Sequence, residues 1–429
     1  MVKIPSSEGF ALNSTPSYAA TDTSPAISVQ LSLDAASYGN SYFILDKATR
    51  GVLDNTTYTL GGEFYTDITT QVLSLNINRG RSRELDRFAT GAASVTFKNL
   101  DRTFDPTYTS STLYPNVVPR RPIRILSNGT PIFTGVVDDW SFAYEVGGRS
   151  EATANCVDGF ALLSKQTLNQ ASGTAQTTGT RIAAILARPE VNWPLSLEAI
   201  DNGQQTLQAD AIAQDTNALQ YLQLVESSEP GSFFINGAGL ATFKDRNTAA
   251  STAIATFSDD GTNLPYTDIS VLYGTELLYN RVVVTRAGGA AQTAQSTTSQ
   301  TTYGISSLDQ TGLLIDNDTN SLALANYLLA KYQNPELRFD TITFELAALT
   351  LAQQNQLLGI EITNNVTVQF QPNQTGPRIS QTCQVIGISH SARPETHTIT
   401  FQLAATDGRV AFVLNSTLFG VLDSSTLGF

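Results

Sequence analysis

The sequence predicts a mainly β protein with an α+β insertion, in which two β-rich domains of barrel or sandwich type flank a small α+β module. Three observations carry this. Short alternating segments separated by turn residues fill 72–157 and return from about 279. Helical periodicity with caps appears between them. Only 15% of the 429 residues are charged although 41% are hydrophobic, and Ser, Thr, Asn, Gln and Gly make up the remainder, as suits extended β surfaces and broad interfaces. A chain of this length divides into several cores.

The elements follow in order. Residues 1–28, rich in Ser, Thr, Ala and Pro, read as a flexible arm. The first β domain spans 29–157 and opens with a strand over Ile27–Leu33. Within it Leu73, Leu75 and Ile77 alternate with Ser74, Asn76 and Asn78, and Ala93, Val95 and Phe97 with Ser94, Thr96 and Lys98. Further strands are predicted at Ile123–Ile125, Pro131–Trp140 and, after the Gly147-Gly148 turn, Arg149–Val157. The middle module spans 158–270. Thr180 caps one helix that Pro189 stops. Asp215 caps another, with Leu219, Leu222 and Val225 on one face, and a hairpin turns at Asn236-Gly237. The second β domain spans 271–406, with strands at Arg281–Arg286, Thr341–Leu346, Val366–Phe370, Gln384–Ile388 and Thr398–Leu403. One helix interrupts it, capped near Asn320 and ended by Pro335. Residues 407–429 form a tail.

Two segments repeat. Phe43–Asp54 (FILDKATRGVLD) and Phe412–Asp423 (FVLNSTLFGVLD) align without a gap and share Phe, Leu, Gly, Val, Leu and Asp. They read as equivalent docking peptides, with Phe43, Leu53, Phe412 and Leu422 as interface candidates.

Charge is uneven. The net charge is −13 and the pI about 4.6, which argues against a nucleic-acid surface over most of the molecule. Yet residues 71–125 hold nine Lys or Arg against four Asp or Glu, a balance of +5, so the rest carries −18. Arg79, Arg81, Arg83 and Arg87 crowd this segment. They fit either a contact between subunits or an internal network with Glu84 and Asp86.

Catalytic patterns fail. His390 and His397 share one predicted hairpin, with only Glu395 nearby as a third metal ligand, so a structural or surface role is the better reading. There is no Gly-x-Ser-x-Gly elbow and no phosphate-binding glycine loop. Asp316-Asn-Asp318-Thr-Asn320 begins like a calcium loop, but Ser321 stands where glycine belongs and Tyr327 where the bidentate Glu belongs; a helix cap explains the acids. Cys156 and Cys383 are expected to be free and buried. No signal peptide or membrane span is expected. No enzyme activity and no cofactor or metal are expected.

The order of several motifs resembles the tail hub and minor tail proteins of tailed bacteriophages. These are Gly51-Val-Leu-Asp54, Tyr58-x-Leu60-Gly-Gly62, Arg79–Asp86, Asn99-Leu-Asp-Arg102 with Phe104-Asp-Pro106, Pro119–Pro122, Phe133-Thr-Gly135, Phe233-Phe234, Asn280-Arg-Val282, His390 and Phe419–Asp423. The resemblance implies two tube-like β-barrels per subunit and a homotrimer, six barrels matching a hexameric tail tube to a three-fold tip. It also implies partners among distal tail, tube, tip, fibre and tape measure proteins, with DNA crossing the lumen transiently. The location implied is the virion tail tip, assembled in the host cytoplasm. The alternatives are a host-binding or cell-wall-degrading tip protein and a hexameric distal tail protein.

Overall fold

The computed structural model describes residues 24–33, 65–146, 148–250 and 252–406, and the backbone of 411–412 and 426–427. The chain is mainly β. Its first seven strands are β1 (Ile27–Ser32), β2 (Tyr65–Asp67), β3 (Val72–Gly80), β4 (Ala89–Lys98), β5 (Pro122–Ser127), β6 (Thr130–Tyr144) and β7 (Ser150–Val157). Alternation governs them: Ala93, Val95 and Phe97 of β4 are buried while Ala92 and Lys98 are exposed. Phe97 stacks on Phe104 at 4.5 Å and Trp140 closes the cluster.

The middle module holds α1 (Gly159–Leu163), α2 (Thr178–Leu186) and α3 (Ala218–Ser227), followed by the hairpin β8 (Ser232–Ile235) and β9 (Ala241–Lys244). The caps differ from the sequence reading. Asn217, not Asp215, caps α3 by accepting the Gln220 N–H at 3.0 Å, because Asp215 lies in the left-handed region at φ 64°. Thr177, not Thr180, is the N-cap residue of α2.

The second half is β10 (Ala255–Ser258), β11 (Asp268–Tyr273), β12 (Arg281–Arg286), β13 (Gln292–Gln295), α4 (Thr297–Tyr303), β14 (Ser307–Leu313), α5 (Asp318–Tyr332), β15 (Leu337–Glu345), α6 (Leu351–Leu358), β16 (Asn365–Phe370), β17 (Ile379–Arg393) and β18 (Thr396–Ala405). Here 281–332 departs from expectation. It is not part of a large sheet interrupted by one helix. β13, β12 and β14 form a three-stranded sheet with β12 and β14 parallel, and α5 covers it. Val282, Val284, Leu313, Ile315, Leu324 and Leu328 give it a core separate from the main one. Parallel pairing needs a crossover, which β13 and then α4 supply. Asn317 caps α5 and accepts the Asn320 N–H at 2.9 Å, three residues before the expected cap.

A single 13-stranded sheet runs β11-β15-β18-β17-β3-β4-β7-β6-β5-β1-β2, with β16 on β17 and β10 on β16. Two closed barrels were expected; among the described residues no pairing joins β2 to β3 in the first half or β10 to β11 in the second, so neither half closes into a barrel. The halves are continuous because β17, at 15 residues, is long enough to pair with β16, β18 and β3. Each half keeps its own aromatic cluster, Phe97, Phe104 and Trp140 in the first and Phe257, Phe344 and Phe401 in the second. Each buried Phe contributes about 1.5–3 kcal/mol.

Candidate assembly seam

The seam where β3 meets β17 positions the first residue of the arginine cluster. Gly80 and Gly387 are direct partners across it. A Cβ on Gly80 would stand 2.4 Å from the Ile386 carbonyl oxygen, and its φ of +99° favours glycine besides. The close approach brings Arg79 over the second half of the chain.

Arg79 continues the inward phase of Leu75 and Ile77 and is buried. Its Nη1 donates to Glu361 Oε1 at 2.8 Å. Glu361 also accepts the Ile362 N–H on Oε1 and the Gly237 N–H on Oε2, both at 2.8 Å. The Gly237 carbonyl in turn accepts Thr134 Oγ1 at 3.0 Å. One ion pair thus ties β3, the β8–β9 turn, β6 and the segment after α6. A cavity of about 200 Å³ adjoins it, lined by Arg79, Pro131, Asn236, Leu357, Glu361 and His390.

The histidines sit beside this junction. His390 Nδ1 and His397 Nε2 are 3.1 Å apart, and His397 Nδ1 is 3.5 Å from Ser127 Oγ. Burial holds His397 down at about 4 and His390 well below the ordinary imidazole value, with His397 and Arg79 adding to the effect on His390. Both are therefore neutral near pH 7. Two carboxylates shift the other way. Burial pushes Asp158 up to about 7 against its bonds from Gly91 N–H (2.7 Å) and Phe160 N–H (3.0 Å) and the pull of Arg79. Burial likewise pushes Glu226 up to about 7, opposed by the Phe233 N–H, Arg81 and Arg87.

The other arginines lie in the loop after β3. Arg81 Nη1 donates to the Asp86 carbonyl at 3.2 Å, and its guanidinium lies 4.5 Å from the Phe88 ring centroid. Arg83 pairs with Glu276 at 3.0 Å, both largely in water. Arg87 is exposed. Glu84 pairs with Lys331, so the acids facing the cluster are Glu361, Glu276 and Glu226, drawn from far along the chain. Of the repeated segments, Phe43, Leu53 and Leu422 lie outside the described residues, and at Phe412 only the backbone is described.

The Asn99–Pro106 motif builds a braced turn. Asn99, fully buried, accepts the Phe104 N–H on Oδ1 at 3.0 Å. Asp105 accepts Thr107 N–H and hydroxyl on Oδ1 and Arg102 Nε and Nη2 on Oδ2, at 2.7–2.9 Å. Thr107 first, then Arg102, hold its carboxyl at about 2. The motif encodes a rigid loop that seats Phe104 in the aromatic core.

Among the described residues no group of three or more His, Cys, Asp or Glu is gathered as a metal site, and no helix is long and apolar enough to cross a membrane. Cys156 and Cys383 are free and buried. Only the fold brings Glu361, Glu226 and Gly237 to the arginines; sequence reasoning missed the two acids and gave Gly237 only as a turn residue. It also missed Arg181, buried in α2, whose Nη1 donates to Tyr221 Oη at 2.7 Å.

No protein-family model matches the chain, and no curated protein matches it. Solved structures do. A tail protein from Neisseria meningitidis MC58 superposes with a TM-score of 0.56 at 13% identity, over 89% of this chain and 97% of that one. A 43 kDa tail protein of prophage MuSo2 from Shewanella oneidensis gives 0.54 at 12% identity, over 90% and 98%. Nearly whole-length coverage of both means that this chain has the fold of two solved tail proteins.

Proposed function

We propose that the chain is a structural hub of a phage-type tail tip, three copies forming a ring that joins a six-fold tube to a three-fold tip around a channel for DNA. The observation that supports this best is the β3–β17 seam. It makes two β halves, each with its own aromatic cluster, one continuous body. Three such bodies present six β halves, the number a six-fold neighbour requires. The shared fold with two tail proteins agrees with this reading.

In this role the neighbours are tube or distal tail proteins on one side and tip, fibre or tape measure proteins on the other, and the location is the virion tail. The role is structural, not catalytic. Carboxylates near the seam are engaged by backbone N–H groups, and the two histidines face each other, an arrangement suited to stiffness. Native mass measurement of the purified protein or its assembly tests the reading: a trimer is expected, and a hexamer would overturn it. Clearing in a cell-wall zymogram would overturn the non-catalytic part.

A further inference from the structure

The sheet ends at β11, which among the described residues pairs only with β15. Its sequence, Asp268-Ile-Ser-Val-Leu-Tyr273, carries neither Lys nor Pro, the usual means of blunting an edge. Its last pair is Tyr273 with Leu337, on the strand face that holds the fully buried Phe339 two residues further in. Tyr273 is nonetheless 71% exposed and Leu337 38%. An apolar face continuous with the core therefore runs out uncovered at this corner.

The chain itself leaves the sheet at the same corner. Thr341 faces Gln402 in the β15–β18 ladder, and continuing that register sets Thr406 opposite Leu337. Thr406 holds this line, its N–H and hydroxyl both donating to the Thr382 carbonyl. Tyr273, Leu337 and Thr406 thus stand in consecutive strands, and two strand spacings, about 10 Å, separate Tyr273 from the departing chain. Residues 407–411 span up to roughly 17 Å when extended, enough to bring Phe412 back over Tyr273. The tail beyond this point has the composition of a docking strand. Residues 411–422, AFVLNSTLFGVL, carry no charge, and the backbone at 411–412 is extended, one edge pairing in parallel with 426–427.

We propose that segment 411–422 docks in cis on the β11 edge, seating Phe412 against Tyr273 and Leu337. The occupant is the same chain's own tail, because its point of departure, reach and apolar composition all converge on this corner.

The test uses the full chain with Tyr273→Cys and Phe412→Cys, the native thiols being buried. Mild oxidation followed by intact-mass and peptide mapping reads the bond. An intrachain 273–412 disulfide is expected to form about tenfold faster than in a control pairing Phe412→Cys with Thr109→Cys, since docking raises the local thiol concentration. Equal rates, or a disulfide between two chains, would overturn the proposal. As a second readout, the chain cut after Thr406 is expected to exchange the amides of 268–273 faster while those of 89–98 are unchanged. Unaltered exchange at 268–273 would overturn it as well.

Discussion

Removing Glu361 tests whether the seam is held by charge pairing or only by strand hydrogen bonds. In Glu361→Ala the Arg79 guanidinium, with a side chain 4% exposed, loses its carboxylate 2.8 Å away and stays in the interior. Breaking such a pair from one side costs about 3–5 kcal/mol. Asp158 also attracts Arg79 and the Glu361 side chain is 29% exposed, so the lower end, about 3 kcal/mol, applies. The Gly237 and Ile362 N–H groups also lose their acceptor, worth about 1 kcal/mol each. Arg79→Met removes the buried charge instead and leaves Glu361 bonded to two N–H groups, a loss of about 1–2 kcal/mol. The double variant should then fall short of the sum by about 2 kcal/mol. Urea unfolding followed at Trp140 and Trp193 measures all three, since one tryptophan lies in the first β half and the other in the middle module. If the double is additive, Arg79 and Glu361 are not coupled and the seam rests on its backbone ladder.

The remaining predictions concern the same region. Gly80→Ala should cost about 3 kcal/mol or more, from a Cβ 2.4 Å from a carbonyl oxygen and a positive φ, and an unchanged melting midpoint would contradict it. Glu226 has a folded value raised to about 7, so its protonated form favours folding: stability is full below about 4.5 and falls as pH rises through 7. Glu226→Gln keeps the acceptor for Phe233 N–H and should gain up to about 3 kcal/mol over wild type at pH 8 but nothing at pH 4, read from urea midpoints. His397, held at about 4, works in the opposite sense: stability is full above 6.5 and is lost as pH falls toward 4, so His397→Gln should flatten that acid limb in a thermal melt series. Charge reversal at Arg83, paired to Glu276 in water, should shift the melting midpoint little, because exposed pairs are worth about 0–1 kcal/mol, and in the hub reading it should impair assembly with Arg81 reversed as well.

Much of this architecture is legible locally. The alternation of β4 is written in Ala93, Val95 and Phe97, and the β8–β9 hairpin in Asn236-Gly237. The burial of Arg79 was legible too: the phase of Leu75 and Ile77 points it inward, although four clustered arginines read more readily as a surface. Thr350 and Gln353 form the capping box of α6, a signal visible three residues apart that sequence reasoning passed over. The rest was out of reach for a physical reason. Arg79 and Glu361 are 282 positions apart, and no periodicity links residues whose relation is set only when β17 lies on β3. The 281–332 module misled because Arg281–Arg286 reads alike as a buried parallel strand or as one more strand of a large sheet.

The β3–β17 pairing also sets an order of events in synthesis. His390 pairs with Ile77, so during translation β3 has one edge of backbone donors and acceptors with no strand to meet until some 300 residues later. At 5–20 residues per second that wait is roughly 15–60 s, far longer than the microseconds a hairpin takes to form. The nascent first half must therefore stay soluble while its apolar Leu75 and Ile77 border an unfilled sheet position. The polar Asn76 and Asn78 between them, facing water in the finished protein, are the residues that limit stray strand addition during that interval.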